Sequence, residues 1–391
     1  MRFLHTADWH IGKPLRNLRR DDEYAQALTE VLDIALRENI DCLLLAGDVF
    51  DTATPPPEAE RIVFNFFREL AGAGIPAVVI GGNHDHPRRL NAFARILDLV
   101  NIHVLGEPVP GEGGVVTIGS RDGAETAVIA ALPWVSERKV RSWEGLLQGD
   151  EHYADYAEEV AKMMAYLCGS FRSDTANLMV AHLMMEGAIV GGEASGERPL
   201  HVGQAYAVNP RRLPAEAQYI ALGHLHRGQE IVPRQAYYSG SLIQLDFGEA
   251  GQQKSVNVVE VTPGRPAHME PVPLTAGRRL RDLGRPRDGL TLEQLEALAP
   301  DVDDAYLRVF VRVDRPFQSL ADRVRELLPN TLDIVVEKTE EREAAEPADL
   351  MRLSPTELFL AYYRDGHTAE PPADLMQLFG QLYEEVTHEA D

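Results

Sequence analysis

The chain has little cysteine, no long apolar run and no surplus of positive charge, and each shortage excludes a class of protein. Two cysteines in 391 residues, Cys42 inside "DCLLLAG" and Cys168 in a helical stretch, provide neither a disulfide framework nor a cysteine-rich zinc site. No apolar segment approaches the ~18 residues of a membrane span, and Arg2, His5, Asp8 and His10 interrupt any signal-peptide core. The expected location is cytoplasmic, with no membrane partner. At a formal net charge of −23 the chain as a whole repels polyanions, so a nucleic acid would have to be held by local clusters of Lys and Arg. No Gly-x-x-x-x-Gly-Lys-Ser/Thr stretch occurs, which assigns any ATP dependence to a partner.

What is present is an ordinary globular composition, 45% hydrophobic and 25% charged, in a chain long enough for two or three domains of roughly 100–200 residues. Residues 21–39 place Tyr24, Ala27, Leu28, Val31, Leu32, Ala35 and Leu36 on one helical face. "IDCLLLAGD" and "IPAVVIGGNHDH" are short continuous apolar runs, the pattern of strands buried on both faces. Between them "PEAERIVFNFFRELAGAG" reads as a helix. "ANLMVAHLMMEG" and "QYIALGHLHRG" repeat the strand pattern, and "VVTIG", "AVIAALP", "QAYYSGS" and "SVNVVEVTP" add further strands. A stretch rich in Pro, Gly, Arg and Asp across residues 263–305 marks a boundary, with one short helix in it. The domain plan is a main domain over 1–265, a small α/β unit over 266–338, and a charged linker with a helical tail over 339–391.

Polar residues recur where the apolar strands stop: Asp8 and His10, Asp48, Asn83 and His84, His182, and His224 with His226. In an α/β sheet the carboxyl ends of the strands are where ligands gather. Asp8/His10 and His224/His226 are spaced i, i+2, so in extended chain both members leave the same face. A mixture of imidazole, carboxylate and amide oxygen suits Mn²⁺, Fe or Zn²⁺ rather than Ca²⁺, which takes oxygen shells. Seven donors with one bridging carboxylate fit two metals. Any one of these residues alone would be an ordinary loop residue; their order after five strands sets them apart.

"DWH", "GDVFD", "GNHD", "AHLM" and "GHLH" resemble the five blocks of the calcineurin-like metallophosphoesterases. Within that superfamily, "HTADWHIG", "AGDVFDTATPPPEA", "ALGHLHRGQ" and "YSGSLIQLDFGEAGQQKSVNVVEV" resemble the SbcD nuclease subunits of bacterial DNA-repair complexes. The resemblance implies a four-layer α/β sandwich, a central β-sandwich flanked by helices, with a small α/β capping, DNA-binding domain and a helical tail. It implies one metal held by Asp8, His10, Asp48 and His226, and another by Asp48, Asn83, His182 and His224. Asp48 bridges them, the expected metal is Mn²⁺, and His84 is the catalytic histidine. Archaeal relatives carry His where Asp51 stands in "GDVFD", so Asp51 is expected to orient a ligand histidine rather than meet phosphate.

The same resemblance implies a Mn²⁺-dependent exonuclease on double-stranded DNA ends and an endonuclease on hairpins and single strands. It implies action in repair and recombination with an SbcC-type ATPase, as a homodimer within a heterotetramer. Candidate dimer helices are "IVFNFFREL" and "NAFARILDLV". Candidate phosphate contacts are Lys13, Arg16, Arg19 and Arg20, then Arg88 and Arg89, with Arg138, Lys139, Arg141, Arg211 and Arg212 as further clusters. A solvated surface explains each equally well. In the tail, Leu358, Phe359, Tyr362, Leu375, Leu378, Phe379 and Leu382 could form an apolar face for the ATPase, or pack on their own domain. The rival readings are a small-molecule phosphodiesterase or phosphatase of the same superfamily, and a non-catalytic DNA-binding scaffold. Against the scaffold stands the complete donor set.

Overall fold

The computed structural model describes residues 1–109, 111–136, 156–190, 207–313 and 319–338, with scattered residues of the tail. In chain order the first elements are β1 (Arg2–Thr6), α1 (Asp21–Arg37), β2 (Cys42–Leu45), α2 (Pro57–Gly72), β3 (Ala77–Ile80), α3 (Pro87–Asp98) and β4 (Ile102–Leu105). Then come β5 (Val115–Gly119), β6 (Thr126–Leu132), α4 (Tyr156–Cys168), β7 (Ala176–His182), β8 (Tyr219–Gly223), β9 (Gln229–Ile231), β10 (Ala236–Tyr238), β11 (Ser255–Glu260) and β12 (His268–Pro273). The last are β13 (Leu280–Leu283), α5 (Leu292–Leu298), β14 (Tyr306–Val313), α6 (Leu320–Leu327) and β15 (Thr331–Lys338).

These strands make two six-stranded sheets, ordered β12-β11-β1-β2-β3-β4 and β5-β6-β7-β8-β10-β9, and a third of three strands, β13-β14-β15. β1 through β4 are parallel neighbours, with Phe3 opposite Cys42 and Leu43 opposite Ala77. β6, β7 and β8 are parallel in the second sheet, where His182 lies opposite Gly223. The metal-donor segments therefore leave two sheets, not the single sheet edge that strand ends alone imply.

Alternation along the strands builds the layers. Leu43 and Leu45 of β2 face α1 and α2, packing with Tyr24, Val31, Val63 and Phe67. Cys42 and Leu44 point the other way and meet Ile129, Leu178, Val180 and Tyr219 of the second sheet. Beyond that sheet, Met179 and Leu222 pack on Met163, Met164 and Leu167 of α4. Helix, sheet, sheet and helix form the expected four-layer sandwich, and both faces of β2 are buried, which is why its sequence reads as an unbroken apolar run.

β12 is the edge strand of the first sheet, so the chain remains in that sheet as far as Pro273, beyond the boundary placed at 265. Its sequence, HMEPVP, is largely exposed and carries two prolines, so it lacks an apolar period. The third sheet has its own core of Leu295, Leu307, Val309, Val311 and Val324. Met1–Glu337 form one compact unit and Lys338–Asp391 another. In the latter, Phe359 and Phe379 stack at 4.3 Å between ring centroids, and Leu378 is half exposed. Leu358, Tyr362 and Leu382 lie outside the described residues. Among those described, no helix is long and apolar enough to cross a membrane.

Candidate metal centre

β1 ends at Thr6, and the backbone then folds tightly rather than continuing extended. Asp8 (φ 50°), His10 (φ 45°), Asp48 (φ 52°) and His224 (φ 107°) all occupy positive φ, a conformation costing a non-glycine residue roughly 1–3 kcal/mol. The i, i+2 spacing therefore does not aim these side chains by strand alternation, as extended geometry would. Left-handed turns do, and backbone hydrogen bonds secure them: Asp8 N–H donates to Gly47 O and His10 N–H to Asp48 O, each at 3.0 Å. Gly47 (φ 93°) is forced as well, since a Cβ there would strike the His182 ring. At Gly82 a Cβ would overlap the Asp48 carboxylate.

The donors converge. His10 Nε2 lies 3.5 Å from Asp48 Oδ2, and His182 Nε2 lies 3.4 Å from the same oxygen. Asn83 Oδ1 stands 3.0 Å from His182 Nε2 and 2.9 Å from His224 Nδ1. His10 Nε2 and His226 Nε2 face each other at 3.1 Å. Three overlapping groups, Asp8/His10/His226, His10/Asp48/His84 and Asp8/Asp48/His182, each bring their donor atoms within 4.8 Å of one another.

Asp8, His10, Asp48 and His182 are fully or almost fully buried. Burial pushes the Asp8 carboxyl up to about 7, opposed by His182 and His226. Burial likewise drives His10 down to about 4 and His224 to about 3, leaving neutral rings with a lone pair to offer. Asp48 departs from this trend: burial would raise it, but His182, His10 and His84 together hold it well below the usual carboxylate range. In return Asp48 lifts His182 to about 9 against the effect of burial.

Whether a cation fits is decided by hydrogen-bond polarity. His182 Nδ1–H donates to Ala46 O at 2.8 Å, so Nε2, facing Asn83 Oδ1 and Asp48 Oδ2, carries the proton that Asp48 retains on the ring, in the place a cation would take. His226 Nδ1–H donates to the Glu249 carboxylate at 2.8 Å, so in the neutral ring Nε2 is the lone pair, aimed at His10 Nε2. Asp8 Oδ2 is buried with no hydrogen-bond partner. Carboxylate and amide oxygens crowded in a buried space, one of them unpartnered, are unfavourable unless protons or a cation sit among them. The donor set is that of a metal centre.

All eight strand-end residues are thus brought together. His84 is half buried at the mouth; its N–H donates to Asp48 Oδ1 at 2.8 Å and its Nδ1 to the Asp51 carbonyl at 2.8 Å. With Nδ1 so engaged, Nε2 is the ring nitrogen that remains. Asp51 Oδ1 lies 3.4 Å from His10 Nδ1 and 3.0 Å from Lys13 Nζ, which places its carboxylate behind a donor histidine.

Four further residues belong to the site and escape sequence reasoning. Asp85 accepts from the backbone N–H groups of Val49, Phe50 and Gly82, tying the β2 and β3 loops together. Glu249 and Lys254 stand behind His226, with Nζ 2.6 Å from Oε2. Trp134 stacks on the His224 ring at 5.3 Å between centroids. Asp85 closes the "GNHD" block and Glu249 and Lys254 lie inside the "YSGSLIQLDFGEAGQQKSVNVVEV" stretch, so the resemblance covered them without giving them a role, whereas Trp134 sits in a segment with no motif of its own.

The basic candidates divide. Arg20 is 3% exposed, and its guanidinium is taken by Glu23 and by the Gln244 and Arg278 carbonyls. A buried, engaged guanidinium does not reach a DNA phosphate, so Arg20 is corrected to a structural residue. Arg16 pairs with Asp333 of β15 at 2.5 Å and Arg89 with Glu60 at 2.5 Å. Arg19 remains 64% exposed beside Asp21, and Arg88 is exposed on α3. Arg211 and Arg212 lie on the surface, whereas Arg138, Lys139 and Arg141 fall outside the described residues.

A two-sheet sandwich with imidazole, carboxylate and amide donors at its strand ends defines a calcineurin-like phosphoesterase, and the family model of that description matches residues 1–165. A second model, described as a type 5 capsule protein repressor C-terminal domain, matches residues 279–366. The chain is 33% identical over 396 residues to the SbcD component of the nuclease SbcCD from Bacillus subtilis, covering 100% of this chain and 99% of the relative. To the SbcD component from Rhodobacter capsulatus it is 32% identical over 395 residues, covering 93% and 94%. For SbcD of Escherichia coli K12 the figures are 32% over 272 residues, 68% and 66%. The chain belongs to this SbcD family of nuclease components.

Proposed function

We propose that this protein is a Mn²⁺-dependent DNA nuclease, an exonuclease on double-stranded ends and an endonuclease on hairpins and single strands, acting with an SbcC-type ATPase in break repair and recombination. The observation that carries the reading is the inward convergence of acceptors around Asp48. Asp8, His10, Asp48 and His226 would hold one cation and Asp48, Asn83, His182 and His224 the other. Bound there, the pair would supply the Lewis-acid charge and water activation of phosphodiester hydrolysis.

The chain's own residues do the rest. His84, fixed through Nδ1 by the Asp51 carbonyl, presents Nε2 to the scissile phosphate or to the leaving oxygen, where it can donate a proton. Asp51 holds His10 in place. Arg88 and, beside their carboxylate partners, Lys13, Arg16, Arg19 and Arg89 are the charges offered to the DNA backbone. The third sheet serves as the cap, and the tail helices and a second copy of the chain complete the assembly.

Measuring Mn²⁺ stoichiometry and DNA cleavage together in His84→Ala tests the assignment. Metal content should stay at two equivalents while cleavage falls by ~10²–10⁴-fold. Loss of metal, or unchanged cleavage, would overturn the role of His84. Hydrolysis of a small phosphate ester with no action on DNA would favour the small-molecule reading.

A further inference from the structure

Outside the donor cluster, Glu249 is the buried carboxylate most densely bonded to the site. It is 1% exposed and sits in a short 3-10 turn, Phe247–Glu249. One oxygen, Oε1, meets His226 Nδ1 at 2.8 Å. The other, Oε2, receives Leu245 N–H at 3.1 Å and the Lys254 ammonium at 2.6 Å, with Ser241 Oγ 3.2 Å away and nearer, at 3.0 Å, to the Ile243 carbonyl. Lys254 also donates to the carbonyl of His226 itself at 2.8 Å.

The two oxygens therefore have different duties. Oε2 is surrounded by donors and must be an acceptor. Oε1 faces one ring nitrogen, and as an acceptor it requires the proton of that ring to be on Nδ1. A neutral imidazole carries one N–H, so this contact leaves Nε2 of His226 with the lone pair, aimed at His10 Nε2 and the buried centre.

We infer that Glu249 is a positioning residue that locks His226 in the Nδ1–H tautomer and thereby makes its Nε2 a metal donor; this rests on the donor role of His226 proposed above. The lock is chemical as well as steric. In Glu249→Gln the amide oxygen must take the Oε2 position, because the Leu245 N–H and the Lys254 ammonium, which can only donate, converge there. The amide NH₂ then points at His226 Nδ1 and can be satisfied only by a lone pair on that nitrogen. The proton moves to Nε2, where it blocks coordination. A residue that merely filled space would produce no such inversion.

The test uses the full-length chain with ¹⁵N-labelled histidine. Long-range ¹H–¹⁵N spectra of the metal-free protein at pH 8 report which nitrogen of each ring is protonated, and the His226 signals are those lost in His226→Gln. The wild type should show His226 protonated at Nδ1, and Glu249→Gln should show it at Nε2. Calorimetric titration with Mn²⁺ alone should find one of two sites weakened by ~10–100-fold in Glu249→Gln. In a His226→Gln background the same change should have no further effect.

Glu249→Gln leaves Lys254 without its counter-ion, so Glu249→Gln/Lys254→Met serves if the single variant does not fold. The Leu245 N–H still demands an oxygen there, and the tautomer switch should persist. An unchanged tautomer, or an equal loss of Mn²⁺ affinity with and without His226, would overturn the inference. If His226→Gln itself leaves both Mn²⁺ sites at wild-type affinity, the donor role of His226 fails instead.

Discussion

His10 and His226 come from different sheets, 216 residues apart, yet their Nε2 atoms face each other at 3.1 Å. Both rings direct Nδ1 toward a carboxylate, His10 to Asp51 at 3.4 Å and His226 to Glu249 at 2.8 Å. Two lone pairs so placed repel, and a cation between them reverses the sign. Mn²⁺ should therefore stabilise the fold: at one hundred times its dissociation constant, one bound ion adds about 2.7 kcal/mol. Thermal unfolding with and without chelator checks this. Asp48→Asn, which removes the shared carboxylate, should abolish most of the shift; a full shift in that variant would contradict a metal centre built on Asp48.

Acid should weaken the interface between the sheets. His5 is buried there, bonded through Nδ1 to the Tyr219 hydroxyl at 2.9 Å and through Nε2 to the Leu222 carbonyl at 3.2 Å. Burial lowers it from the usual 6.5 to about 3, the Leu222 carbonyl opposing. In that window the unfolded chain binds the proton and the folded chain does not, so stability rises with pH. Full stability is present above 6.5 and is lost toward 3, by at most ~1.4 kcal/mol per pH unit from this residue. Urea unfolding at several pH values in chelator should show a shallower pH dependence for His5→Gln than for the wild type.

Two neighbouring basic residues should behave oppositely. Lys13, beside Asp51 at the site, is expected to touch DNA: Lys13→Gln should weaken binding and reduce the slope of log affinity against log salt by ~0.9. Arg20→Gln should lower the unfolding midpoint and leave that slope intact, because its guanidinium serves Glu23 and Gln244 inside the protein. Fluorescence anisotropy across a salt series, paired with thermal melts, separates them.

The seat of the third sheet is aromatic. Phe247, 2% exposed, packs with Leu15, Leu280, Tyr306 and Leu332, and the guanidinium groups of Arg16 and Arg308 lie 5.9 and 5.3 Å from its ring centroid. Phe247→Ala should cost ~3–5 kcal/mol in chemical denaturation, with proteolysis opening the stretch around 280–338 first. A loss below about 1 kcal/mol, on the scale expected for surface changes, would mean the seat is looser than its burial implies.

Much of this was readable from residue order. The apolar runs at β2, β3, β7 and β8 announce strands because both of their faces are buried, and the polar residues that follow each run mark the strand ends. β12 was not readable, since an exposed edge strand with Pro271 and Pro273 need not alternate. Glu249 and Lys254 were equally silent: a carboxylate and an ammonium five positions apart look like a solvated pair until burial is known.

The sequence by itself determined which chemical groups are available and at which strand ends, because side-chain type and apolar periodicity are local properties. Tertiary structure decided everything that depends on distance and backbone sign. Positive φ at Asp8, His10, Asp48 and His224, rather than extended spacing, aims the donors. Packing of one sheet on the other brings His10 to His226, and burial separates Arg20, sealed under Gln244, from Arg19, open to solvent. Long-range packing sets these relationships, and no window of neighbouring residues contains it.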